Sequence, residues 1–248
     1  MPPSPRLVRR SFPVGALGCN CSVVVCPETK EALIVDPGDE APRVLEALAA
    51  EGARAVKIVH THAHFDHVLG TREVAARTGA EVLLHAGDRW LYENVPMQAM
   101  TFGLWREGTP PPPPPTRELE DGEALAFGCR EARALHTPGH TPGSMCFFLE
   151  RAGEAPCVFE GDTLFRRSIG RTRRGASRRG RLPAHGRAVR ARLGACRART
   201  RAAAASRGPC SFAHSGRQGD RDGPGASNRA GAAAGSRVRP ALRRNRRK

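Results

Sequence analysis

Short apolar runs alternate with amphipathic stretches through the first two thirds of the chain. Ser22–Val25, Ala32–Val35, Ala55–His60, Glu81–His85 and Met145–Leu149 are too short for helices, and most are rich in β-branched or aliphatic residues, so they predict strands. Ala41–Glu51 and Thr71–Thr78 carry apolar residues on one face at helical spacing. Each is followed by a glycine, Gly52 or Gly79, suited to the left-handed residue that closes a helix. Strands alternating with helices predict an α/β fold in which helices pack on sheets. Six consecutive prolines, Pro110–Pro115, break the pattern and predict a stiff polyproline II spacer in a surface loop. Just before them, Met97, Met100, Phe102, Leu104 and Trp105 form an apolar wall, suited equally to core packing and to covering a site.

Beyond residue 172 the pattern fades and the charge inverts. Residues 1–171 hold 18 Lys+Arg and 22 Asp+Glu, a net of −4, while residues 172–248 hold 22 and 2, a net of +20. The tail is rich in Arg, Ala and Gly and poor in aliphatic residues, so it buries too little surface to offset the entropy of ordering. The chain therefore divides into a core-forming domain, 1–172, and a basic tail, 173–248, expected to be disordered. A reading-frame shift just after Thr172 in a GC-rich gene accounts for such a composition. A genuine tail that touches nucleic acid nonspecifically through its charge is the other account. Phe212 is the tail's only aromatic residue, so base stacking finds no support there. The eight cysteines form no C-x-x-C pair and no apolar signal stretch opens the chain, which predicts reduced thiols and a cytoplasmic location. No run approaches the roughly 18 apolar residues of a membrane span.

The chemistry concentrates in Thr61-His62-Ala63-His64-Phe65-Asp66-His67, which places three imidazoles and a carboxylate directly after the apolar run 56–59. Alternation at a strand end would point His62 and His64 the same way, with Asp66 and His67 on the following turn. Imidazole and carboxylate suit zinc, iron and manganese when no thiolate is offered. Leu135-His136-Thr137-Pro138-Gly139-His140-Thr141-Pro142-Gly143-Ser144 adds two histidines in a Pro/Gly-rich loop. Val158-Phe159-Glu160-Gly161-Asp162 sets a carboxylate at the end of a short apolar strand, where it could bridge two cations about 3.5–4 Å apart. The remaining histidines read as structural: His60 as packing or support, His85 as a strand end, and His136 as support for His140.

The H-x-H-x-D-H run at 62–67, the H-T-P-G-H-T-P-G-S loop at 136–144, and Gly161-Asp162-Thr163-Leu164-Phe165 with the following Ser168–Thr172 resemble the metallo-β-lactamase superfamily. Within it they are most similar to the glyoxalase II-like (hydroxyacylglutathione hydrolase-like) branch, as are Asn20-Cys21-Ser22 and Ala32–Gly38. The resemblance implies an αββα sandwich of two sheets between helices, here with its C-terminal part incomplete. It implies a first metal on His62, His64 and His140, and a second on Asp66 and His67, with Asp162 bridging. Two zinc ions are implied, with iron or manganese as alternatives. The implied nucleophile is a bridging hydroxide, oriented or relieved of its proton by Asp66, and the implied substrate is a small-molecule thioester such as a hydroxyacyl-glutathione. The family's last ligand, a histidine in a Pro-Gly-His-Gly turn, is not found. Only His185 and His214 follow Asp162, in Pro-Ala-His-Gly and Phe-Ala-His-Ser. A persulfide dioxygenase-like enzyme with one iron on His62, His140 and Asp162 is a second reading, and an inactive remnant or polyanion-binding protein a third.

Overall fold

The apolar runs fold as strands that bury both faces, which is why they read as continuous rather than alternating. The computed structural model describes residues 6–150, 154–165, 168–169, 171 and 191. A six-stranded sheet has the order β1 (Val8–Val14), β2 (Cys19–Val25), β3 (Glu31–Val35), β4 (Arg54–Val59), β5 (Glu81–His85) and β6 (Arg117–Leu119). β1 to β3 are antiparallel neighbours, whereas β3 to β6 run parallel and need crossovers. The crossovers are α1 (Ala41–Ala50), then α2 (Phe65–Val68) with α3 (Thr71–Thr78), then α4 (Arg89–Glu93) with α5 (Val95–Thr101). A second, wholly antiparallel sheet contains β7 (Ala124–Phe127), β8 (Arg130–His136), β9 (Met145–Leu149) and β10 (Cys157–Phe159), in the order β10-β9-β8-β7. A small ribbon, β11 (Leu164–Phe165) with β12 (Ser168–Ile169), follows.

The pleat sorts the core into layers. Val23, Val25, Ile34, Ile58, Val82 and Leu84 pack with Val44 and Leu48 of α1 and Val74 of α3. Their neighbours along the strands, Val24, Leu33, Val35, Val59 and Leu83, meet Leu125, Phe127, Met145 and Phe147 of the second sheet. Full burial of each such side chain contributes about 1.5–3 kcal/mol. Leu135, Cys146 and Phe148 are buried on the second sheet's other face with Val158 and Leu164. The order helix, sheet, sheet is that of the αββα sandwich. The incomplete C-terminal part and the tail 173–248, with His185 and His214, lie outside the described residues apart from residue 191.

Both helix stops occur as expected. Gly52 (φ +58°) follows α1 and Gly79 (φ +69°) closes α3. The proline run departs from the spacer reading: Arg72 donates to the Pro111 carbonyl and the Tyr92 hydroxyl donates to the Pro113 carbonyl at 2.8 Å. A segment without N–H groups still offers carbonyls, and α3 and α4 use them to strap it down. No helix among the described residues is long and apolar enough to cross a membrane.

Candidate metal centre

β4 ends at Val59, so the segment 60–64 is a loop and not the strand end that the alternation suggested. His64 is extended (φ −71°, ψ 146°) as it enters α2, which carries Asp66 and His67 on its first turn. Close backbone packing fixes this turn of chain. The Gly70 N–H donates to the Gly38 carbonyl, and a Cβ on Gly38 would lie 2.1 Å from Val14 Cγ2. The loop after β8 brings His140, and the turn after β10 brings Asp162. Gly161 (φ +47°) lets that turn approach, since a Cβ there would lie 2.2 Å from Thr61 Oγ1. All six candidate ligands gather at one end of the two sheets.

His62 Nε2 and His140 Nε2 each lie 3.0 Å from His64 Nδ1. The three rings stand nearly perpendicular to one another, with centroids 4.7 Å apart. Their outer partners set the tautomers. His140 Nδ1 faces the Arg171 carbonyl at 3.0 Å and must donate to it. Thr61 Oγ1 donates to Asp36 Oδ2 at 2.6 Å, so its lone pair accepts from His62 Nδ1 at 3.1 Å. In the neutral rings, Nε2 of His62 and of His140 is then a bare lone pair aimed at His64. A proton on His64 Nδ1 would serve the two only as a shared donor, whereas a single cation takes all three nitrogens at once. Tetrahedral coordination at about 2.0–2.1 Å would set the nitrogens roughly 3.3 Å apart, so the residues fit a metal ion.

The other flank is more acidic and more open. His67 Nε2 lies 3.7 Å from both Asp66 Oδ2 and Asp162 Oδ1, while Asp162 Oδ2 lies 3.4 Å from His140 Nε2. Asp162 thus turns one oxygen to each flank, the attitude of a bridging carboxylate. His62, His67 and Asp162 bring their ligand atoms within 4.8 Å of one another, as His62, His64 and His140 do. The side chains of Asp66 and Asp162 are 22% and 34% exposed, against 5% for His67.

Asp36 was not foreseen as part of the site. It is buried, adopts φ +50°, accepts from Thr61 N–H at 2.8 Å, and takes His67 Nδ1–H on Oδ2 at 3.0 Å. That bond turns His67 Nε2 toward Asp66 and Asp162. The available signal was a carboxylate after an apolar run and before Pro37-Gly38, since Asp tolerates the left-handed region better than most residues.

Electrostatics separates the flanks. Burial, then the charges of His67, His64 and His140, holds His62 well below the ordinary histidine range. Burial and His140 lower His64. Both rings are therefore neutral and ligand-ready near pH 7. Burial also pulls on His67, but Asp36, by charge and hydrogen bond, together with Asp66 and Asp162, leaves it above its usual value. Three carboxylates around one imidazole amount to a surplus of negative charge that a cation would balance. Burial, then Asp36 and Asp66, pushes the Cys19 thiol up, so it remains a neutral neighbour of the site.

Among the described residues, the other histidines sit in structural contacts. His60 is fully buried beside Tyr92, with Nε2 3.2 Å from Thr71 Oγ1. His85 accepts the Gly87 N–H and stacks on His136, centroids 4.0 Å apart. His136 Nε2 donates to the Pro142 carbonyl at 2.8 Å, so its support reaches His140 through the loop. The apolar wall divides: Leu104 and Trp105 pack on the first core, whereas Met97, Met100 and Phe102 are exposed. Phe102 lies on Phe65, which with Leu17, Asp66, Leu69 and Leu104 lines a shallow recess.

The family model of the metallo-beta-lactamase superfamily matches residues 14–218. The Haemophilus influenzae hydroxyacylglutathione hydrolase GloC is 35% identical over 65% of this chain and 74% of its own length. The probable metallo-hydrolase YqgX of Bacillus subtilis is 34% identical over 66% and 74%. Among solved structures, TTHA1623 in a di-iron-bound form superposes with a TM-score of 0.60 at 35% identity, covering 74% of this chain and 85% of that one. The BLEG-1 B3 metallo-beta-lactamase does so with 0.57 at 31%, covering 68% and 79%. With its sandwich, its converging imidazoles and these relatives, the chain belongs to the metallo-beta-lactamase superfamily.

Proposed function

We propose that the protein is a metal-dependent hydrolase of a small thioester such as a hydroxyacyl-glutathione. The observation that carries this reading is the meeting of His62, His64 and His140 nitrogens at 3.0 Å beside His67, Asp66 and Asp162. His62, His64 and His140 would hold one metal ion, Asp66 and His67 a second, with Asp162 between them. Zinc, iron and manganese all accept such nitrogen and oxygen donors. A metal pair held there would supply hydroxide near neutral pH and a Lewis acid for the scissile carbonyl, so no serine or cysteine nucleophile would be required.

The chain's own groups do the positioning. Asp36 and Thr61 hold His67 and His62 in the tautomers that leave Nε2 bare. Asp66, partly exposed beside His67, would orient a water and accept its proton. The thioester as substrate draws its support from the similarity to proteins named hydroxyacylglutathione hydrolase.

The test is thiol release from S-lactoylglutathione by the full chain reconstituted with zinc or iron. Metal-dependent turnover that falls at least about 100-fold in Asp66→Asn is expected. Metal-replete, folded protein without turnover would overturn the thioester reading.

A further inference from the structure

Between β5 and α4 the chain makes one 3-10 turn, Ala86–Asp88, and delivers the Asp88 carboxylate into a fully buried position. Two segments far apart in sequence meet on it. Oδ2 accepts the Ala63 N–H at 3.1 Å and the Thr141 hydroxyl at 2.7 Å, while Oδ1 accepts the Gly143 N–H at 2.7 Å. Ala63 separates His62 from His64, and Thr141 follows His140. One carboxylate therefore ties together the two loops that carry the three converging imidazoles.

The surroundings are shaped around it. A Cβ on Gly143 would lie 2.6–2.8 Å from Asp88 atoms, and one on Gly87 would lie 3.0 Å from Gly143 N. Gln98 Nε2 donates to the Ala63 carbonyl at 3.2 Å, so the backbone between His62 and His64 is held through both its N–H and its C=O. Thr141 N–H donates to Ser144 Oγ at 2.9 Å and closes its own loop. Hydrogen bonds to an ionised acceptor are roughly twice as strong as neutral ones. Asparagine cannot substitute, because its amide would present N–H groups to an N–H or a hydroxyl that needs an acceptor.

We propose that Asp88 is the positioning residue that sets the register of His140 against His62 and His64, and thereby the metal affinity of the three-histidine pocket. This rests on the reading that those histidines hold a metal. Asp88 acts only through the backbone and Thr141. Its loss should therefore weaken the three-histidine pocket and spare the flank formed by His67, Asp66 and Asp162.

The test is a cobalt(II) titration of the full chain, read by the visible absorption of the bound ion and by metal content. The proteins compared are wild type, Asp88→Asn, Thr141→Val and Thr141→Ser, with the melting temperature of each metal-free form measured alongside. Asp88→Asn should weaken the first cobalt about 10- to 100-fold and shift its bands. Thr141→Val should do the same to a smaller degree, and Thr141→Ser, which keeps the hydroxyl, should match wild type. If Asp88→Asn does not fold, Thr141→Val against Thr141→Ser decides. Wild-type affinity and spectrum in a folded Asp88→Asn or Thr141→Val would overturn this inference alone. Failure of wild type to bind cobalt would overturn the metal reading, and this inference with it.

Discussion

On one flank of the site three ring nitrogens meet at 3.0 Å, on loops tied by buried hydrogen bonds. On the other, one imidazole faces two carboxylates at 3.7 Å, and those carboxylates are partly open to solvent. The first flank works by geometry: its donors are pre-aimed and already converged, and burial keeps His62 and His64 uncharged. The second works by charge, with three carboxylates around His67 and, among the described residues, a single nitrogen of its own. A preorganised imidazole donor set should bind first and release slowly. A charged, partly exposed set should bind second and respond more to salt and pH.

The sharpest way to break this comparison is to delete a nitrogen. His140→Ala should lower first-metal affinity by more than about 100-fold, read by competition with a chelating dye. Asp162→Asn should instead keep the first metal and lose mainly the second. With one of its raising charges gone, the His67 pKa in the metal-free form should fall, which an NMR titration would follow. A His67 titration that does not move would mean that Asp162 is not seated as described.

Stability tests probe the scaffold behind each flank. Gly161→Ala places a Cβ against Thr61 at a positive-φ position and should cost about 2–4 kcal/mol in chemical denaturation. His60, buried beside Asp36, gives a pH signature. Burial, opposed by Asp36, lowers its pKa from 6.5 to about 4. The unfolded chain then binds the proton more readily than the folded one. The His60 contribution is therefore complete above pH 6.5 and is lost as pH falls toward 4, by about 3 kcal/mol in all. His67 works with the opposite sign: its raised pKa contributes stability at low pH that is lost as pH rises through the folded value. His60→Gln should flatten the acid limb of the metal-free protein. Smallest of all, Tyr92→Phe removes the bond to the Pro113 carbonyl and should cost about 1 kcal/mol without changing metal affinity on either flank.

Much of this was legible in the sequence because period and burial agree. Glu81–His85, Thr71–Thr78 and Met145–Leu149 form the predicted elements with the predicted bounds. The six candidate ligands were readable because their residue types cluster at H-x-H-x-D-H, in a Pro/Gly loop and after a strand. What failed depends on long-range partners. Arg130–His136 is built largely of helix formers, yet pairing with β7 and β9 makes it a strand. The strand alternation invoked for His62 and His64 does not exist, since β4 stops at Val59 and the pair converges through the loop into α2. Asp36 and Asp88 escaped notice because each looks like an ordinary turn residue. Asp36 meets Thr61, and Asp88 meets Ala63, at a separation of 25 positions, and Asp88 meets Thr141 at 53.

The most direct test of the account is the metal content of freshly purified full-length chain during stepwise dialysis against a chelator. The account predicts that one equivalent of zinc, iron or manganese leaves early and a second is retained to high chelator, and that His140→Ala abolishes the retained one. Folded protein that holds no metal, or two equivalents that leave together and are equally affected by His140→Ala, would contradict it.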